Sequence, residues 1–446
     1  MRRCALALVL LLLSVALQPT TARASERSAP IWTDVVRRAH GDEHLRMREI
    51  LASSNGDRAY VLGGTFEQTS GHLYPFVLAI DAATGARVWR ESLEWTGDIW
   101  GFAVSPDDAT VFVADGRWDA PGTLIALDTS TGAARWSVPV PDSHRPLGTL
   151  AVGTSGEAFT ATAVPAGSGT SRMLVSAFDP TTGASLWRER FGRGAYETTP
   201  TASTVARDGS ILLLGAGTEP ARAGCPRETE AGIRTSDGSL RWEAIGERMP
   251  GCGAVWGVAP LDAAALFTTV QYDRSTRRSI SVVTSRSVRT GAVVWQRRFR
   301  MGGGMTLSQD GSLGALVGRD RRSEWGSKSI VLSTATGDSL ASLHVPFTSD
   351  DVAFSADGGT LVFAGVAYSD DLSTTRAVLR ALLVADGTEI WRASLRDPSL
   401  PNSGWSDLAV VPAGLALAAG GSDNGAPGWS SGTRQHGMIA AYAVSG

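Results

Sequence analysis

One short pattern recurs along the whole chain, and it limits the possible folds more than any other feature. It reads Ala-Ile-Asp-Ala-Ala-Thr-Gly-Ala-Arg-Val-Trp at 79–89 and Ala-Leu-Asp-Thr-Ser-Thr-Gly-Ala-Ala-Arg-Trp at 126–136. A third copy, Ala-Phe-Asp-Pro-Thr-Thr-Gly-Ala-Ser-Leu-Trp, lies at 177–187. Weaker copies place the glycine at Gly238, Gly291, Gly337 and Gly387, so the period is about fifty residues. Trp242, Trp295 and Trp391 stand four residues after three of these glycines, while Ala341 takes that place in the sixth copy.

Each copy has a direct physical reading. A strand ends at an Asp whose carboxylate can accept hydrogen bonds from the amides of the turn. The turn glycines (Gly85, Gly132, Gly183, Gly238, Gly291, Gly337, Gly387 and, at the chain's end, Gly446) supply the positive φ of a hairpin with a G1 bulge. The strand that follows carries a tryptophan placed to pack between neighbouring sheets. Trp32, Trp89, Trp136, Trp187, Trp242, Trp295 and Trp391 are therefore read as structural blade residues.

A second pattern precedes each copy: an apolar strand, a Ser/Asp/Gly turn and another apolar strand. Phe102–Ala114, Thr306–Val317 and Val352–Ala364 are examples. Eight such inner hairpins, each followed by an outer one, give four strands per repeat, and no stretch sustains a helical period. Four short antiparallel strands at this period indicate an all-β fold, an eight-bladed β-propeller of four-stranded antiparallel blades. The last repeat, Tyr442-Ala443-Val444-Ser445-Gly446, reads as stopping on its turn glycine, without a Trp-bearing strand. Residues 31–36, Ile-Trp-Thr-Asp-Val-Val, form an unpaired strand near the other end. This N-terminal strand is expected to complete the eighth blade and remove an open sheet edge.

Residues 1–24 read as an export signal. Arg2 and Arg3 precede the apolar run Ala5–Leu17, and the small-residue site Ala22-Arg23-Ala24 follows. The run is short for a membrane span, so no stable membrane anchor is expected. Residues 25–446 are read as a single propeller domain, monomeric and either secreted or periplasmic. A net charge of −3 gives no reason to expect nucleic acid as a partner. Cys225 and Cys252 remain after the signal. Both fall in loops expected on one face, and in an oxidising compartment they are expected to form a disulfide.

The loops between second and third strands, and those between blades, should emerge on that same face. They carry the candidate binding residues Trp118, Arg145, Tyr196, Tyr272, Arg322, Trp325 and Trp429. Trp100 and Trp405 stand with Trp256 where inner strands begin, near the expected channel mouth. Aromatic and arginine residues of this kind suit a protein, peptide or glycan surface. No catalytic motif and no metal-binding motif is present. The six histidines are scattered, and Gly302-Gly303-Gly304 precedes a strand rather than a helix. A Ser/His/Asp triad is defined in space rather than in sequence, and no sequence feature points to one.

The core Asp-x-x-Thr-Gly-x-x-x-Trp of Asp81–Trp89, Asp128–Trp136 and Asp179–Trp187 resembles the PQQ-like (quinoprotein-type) propeller repeat. Two branches of that family bear on function. Quinoprotein dehydrogenases hold pyrroloquinoline quinone (PQQ) and calcium against an adjacent Cys-Cys pair, which this chain lacks. The propeller subunit of the outer-membrane β-barrel assembly machinery binds proteins. The resemblance thus implies a non-enzymatic binding scaffold with an unidentified protein or extracellular ligand as partner and no expected cofactor. The alternatives are a glycan- or small-ligand-processing enzyme and, behind it, a PQQ-dependent dehydrogenase. Buried carboxylates with perturbed pKa values at the channel would favour an enzyme.

Overall fold

The computed structural model describes residues 26–37, 43–67, 72–93, 98–116, 121–140, 148–167, 170–192, 196–220, 227–246, 252–273, 278–320, 323, 325–396, 400–423 and 435–444. These form eight blades of four antiparallel strands, one of which gains a short fifth strand at its edge, and every regular element among them is a strand. Blades one to seven take their four strands in chain order, starting with Glu43–Ala52, Arg58–Glu67, His72–Asp81 and Arg87–Ser92. Blade eight has the strands Asn402–Val411, Leu415–Asp423 and Gln435–Ala443, with Trp32–Arg37 as its outermost strand. The register runs from Trp32 opposite Ala441 to Arg37 opposite His436. The N-terminal strand closes the ring, as the sequence indicates.

A shorter strand, Glu26–Arg27, was not expected. It pairs in parallel with Trp391 and Arg392 on the outer edge of blade seven. One segment therefore runs from the rim of blade seven to the rim of blade eight. It also reaches blade one, where Val36 is buried with Leu45, Ile50 and Phe76, and the Arg87 guanidinium donates to both oxygens of Asp34 at 2.6 and 2.8 Å.

The tryptophans link every blade except the sixth to the next. The indole Nε1 of Trp32 donates to the carbonyl of Ala82 at 2.9 Å, and that of Trp89 to Thr129 at 2.8 Å. Trp136, Trp187, Trp242, Trp295 and Trp391 donate likewise to Pro180, Thr235, Val288, Thr334 and Val444. Through Trp295 each ring also covers the turn glycine of the next blade. Trp32 lies over Gly85, and so on to Trp295 over Gly337. The bond from Trp391 places Val444 where Ala82 stands in blade one, and Gly446 lies outside the described residues.

Gly238 and Gly387 separate two roles of the turn glycine. Both are left-handed, with φ of 72° and 75°. A Cβ at Gly238 would lie 2.5 Å from the Trp187 ring, whereas one at Gly387 meets only Leu343, at 3.3 Å, because blade six carries Ala341 instead of a tryptophan. Gly387→Ala should cost about 1 kcal/mol in backbone strain. Gly238→Ala should cost about 2 kcal/mol more through displacement of the indole. Urea denaturation of the two variants checks this, and equal losses would mean that the ring does not depend on the glycine.

Candidate functional site

The inner strands of neighbouring blades touch around the central channel. In six of the eight blades this strand carries a bulge, which inserts one extra residue and re-aims the side chains beside it. The extra residues are Arg48, Trp100, Thr201, Trp256, Asp350 and Ser406. Trp256 is 63% exposed, although it is a large aromatic on an inner strand. Trp100 is half-buried, with its ring against Gly148 of the next blade.

Three consecutive blades place carboxylates at or just after the bulge: Asp350 and Asp351 in blade seven, Asp407 in blade eight and Glu49 in blade one. They form an acidic arc. In a closed ring of eight blades, Trp256 of blade five stands opposite blade one. Asp351 Oδ2 accepts from the Leu408 amide at 3.1 Å, and Asp407 Oδ2 accepts from the Ile50 amide at 2.6 Å. Each carboxyl thus ties its blade to the next.

Asp351 and Asp407 also hydrogen-bond to each other, so the pair shares a proton. Burial, and then the charge of Asp407, push Asp351 up to about 8. Burial also raises Asp407. Glu49 is pushed up to about 7 by burial and the charge of Asp407, against the opposing pull of Arg48. Burial alone raises Asp350 to about 6. Near neutral pH the arc is therefore only partly ionised.

A separate cavity of about 350 Å³ opens where the inner strands of blades one, six, seven and eight end, beside Ala52, Leu307, Phe354 and Val410. It contains none of the four carboxylates.

The residues singled out from sequence are dispersed. Tyr272 is 44% exposed at the end of the second strand of blade five. Trp325 is half-buried, with its ring 4.6 Å from that of Tyr368 in blade seven. Trp405 is a correction: it is 1% exposed and packs between blades seven and eight with Trp391 and Tyr442, so it offers nothing to a ligand. Tyr196 begins the inner strand of blade four. Cys252 begins the inner strand of blade five rather than lying in the loop before it. Trp118, Arg145, Arg322, Trp429 and Cys225, like residues 1–24, lie outside the described residues. The sequence reading missed the acidic arc altogether.

A quinone cofactor of the dehydrogenase type carries three carboxyl groups and would meet carboxylates on three adjoining blades. The arc does not fit it. Among the described residues, no three His, Cys, Asp or Glu side chains are grouped to hold a metal ion, and no helix is long and apolar enough to cross a membrane.

The family profile described as outer membrane protein assembly factor BamB matches residues 76–251. BamB from Moraxella catarrhalis shares the fold at 15% identity and a TM-score of 0.53, over 93% of this chain and 99% of that one. A europium-containing methanol dehydrogenase shares it at 13% identity and a TM-score of 0.59, over 94% and 95%. The quinohemoprotein alcohol dehydrogenase ADHIIG from Pseudomonas putida HK5 does so at 13% identity and 0.56, over 95% and 78%. At these identities the likeness is one of fold. No curated protein matches the chain. The ring and these likenesses together give the chain the fold of the PQQ-like β-propellers, with the family profile matched over residues 76–251.

Proposed function

We propose that this chain is an exported binding propeller whose channel mouth and loop face take a basic polypeptide segment and carry out no chemistry on it. The observation that carries the proposal is Trp256, a tryptophan that the blade packing does not use, held 63% exposed on an inner strand. Exposed aromatics at the centre of a surface are the usual anchors of protein contacts. The acidic arc of Glu49, Asp350, Asp351 and Asp407 supplies the complementary charge. Export and a Cys225–Cys252 bridge belong to the same proposal, as does the protein-binding branch of the family.

The arc meets the condition set for an enzyme only in part. Carboxyl groups that flank a glycosidic bond stand about 5–9 Å apart. Asp351 and Asp407 are in direct hydrogen-bond contact, and each already holds a backbone amide of the next blade. That arrangement supports wall-building over glycan hydrolysis.

Calorimetric titration with an arginine-rich peptide should give saturable binding. Trp256→Ala should weaken it on the order of 30-fold, as expected for a central tryptophan anchor. An acidic peptide of the same length should not bind. Unchanged affinity in the Trp256→Ala protein would overturn the proposal.

A further inference from the structure

The rim of blade six holds a polar constellation that the channel does not use. Ser342 and His344 are two residues apart on the outermost strand, Ser339–Val345, so both side chains rise from one face. The opposite face of this strand, through Leu343 and Val345, packs into the core with blade seven. Asp320 follows the second strand of the blade and is 8% exposed, its amide held by the carbonyl of Gly326.

His344 Nδ1 lies 2.7 Å from Asp320 Oδ2, and Ser342 Oγ lies 3.2 Å from His344 Nε2. An ionised carboxylate only accepts hydrogen bonds, so with Asp320 ionised the ring proton sits on Nδ1. Nε2 is then left bare to accept from the Ser342 hydroxyl. This is the order of orienting carboxylate, base and nucleophile that activates a serine. Ser342 is exposed, so a reagent can reach its hydroxyl. Lys328, the one lysine of the chain, is the cross-strand partner of His344 and rises from the same face. It adds a positive charge beside any oxyanion formed there. As an outermost strand, Ser339–Val345 also leaves alternate backbone amides without a strand partner, which are donors of the type that stabilise such an oxyanion.

We propose that Ser342, His344 and Asp320 form an acyl-transfer site for small esters, with Ser342 as the nucleophile. Ser342 Oγ bonds to the ester carbonyl carbon while its proton passes to His344 Nε2. The ester C–O bond then breaks, and the leaving alcohol takes that proton. Water attacks the acyl-serine, gives a proton to His344, and the carboxylic acid departs as the serine recovers its own proton. Asp320 is a positioning residue that holds the ring and its tautomer. The open rim gives no deep pocket, so the substrate class is short, unhindered acyl groups.

The test uses the whole protein, with a fluorophosphonate probe and p-nitrophenyl acetate. Labelling should fall on Ser342 at one site per chain, and ester cleavage should show a burst of one equivalent. Ser342→Ala should abolish both without changing the melting curve, since the side chain is exposed. His344→Gln should slow labelling on the order of 100-fold. Absent or scattered labelling overturns the proposal, as does ester cleavage that survives in Ser342→Ala, which would make the imidazole itself the nucleophile.

Discussion

Removing residues 26–37 should destabilise the protein by at least about 5 kcal/mol and make it self-associate. Several losses coincide. Trp32 gives up its place over Gly85 and its bond to Ala82, and Val36 leaves the cluster shared by blades one and eight. The strand Gln435–Ala443 then becomes an open edge that includes Met438, Ile439 and Tyr442, all buried in the intact ring. An apolar edge without a partner invites pairing with another chain. The ion pair Arg87–Asp34 contributes little of this, because it is exposed. Asp34→Asn alone should therefore cost less than about 1 kcal/mol. Urea denaturation and size-exclusion chromatography measure both effects, and a peptide of residues 26–37 added back should restore the monomer. An unchanged denaturation midpoint in the truncated protein would mean that closure does not rest on this strand.

The repeat was legible because its turn chemistry is local. Asp81, Asp128 and Asp179 each accept from the turn residues that follow, and burial hardly touches them. The weaker copies keep the turn even without the Asp: Gly238 N still donates to Arg234 O, and Gly291 N to Ser287 O. The short strand Glu26–Arg27 carried no signal, since two residues have no periodicity. Bulges explain the misplaced tryptophan. Trp100 and Trp256 are the extra residues of their bulges, whereas Trp405 stands one position earlier, before Ser406. One residue changes the face of a strand, so Trp256 is exposed and Trp405 is buried. The acidic arc was invisible for a different reason. The carboxylates are spread over three repeats, and Glu49 meets Asp407 only because the ring closes. Ser342 and His344 are close in sequence, but Asp320 reaches them only through the packing of blade six.

Stability should fall on the order of 4 kcal/mol as pH rises from 5 to 9, and Asp351→Asn should remove most of that fall. The sign follows from the direction of the shifts. Asp351 and Glu49 are raised to about 8 and 7, so the folded chain holds protons that the unfolded chain releases above about 4. The stability they contribute is complete below the unfolded values, declines as pH rises, and is lost once pH passes the folded values. The exposed turn aspartates act in the opposite sense. Asp310 and Asp371 are lowered to about 2 by hydroxyl and amide donors, so their contribution is present above pH 4 and is lost only in acid. Asp371→Asn should accordingly leave the slope between pH 5 and 9 unchanged. Denaturation at several pH values compares the three proteins, and stability that rises with pH in the wild type would contradict the shared proton between Asp351 and Asp407. The same linkage reaches the proposed partner. A cationic segment seated on the arc favours its ionised form, so binding at pH 7 should release protons. Calorimetry in two buffers of different ionisation enthalpy would show that release, and Asp351→Asn should reduce it. The charge that makes the channel wall costly at high pH is then the charge that a basic partner neutralises.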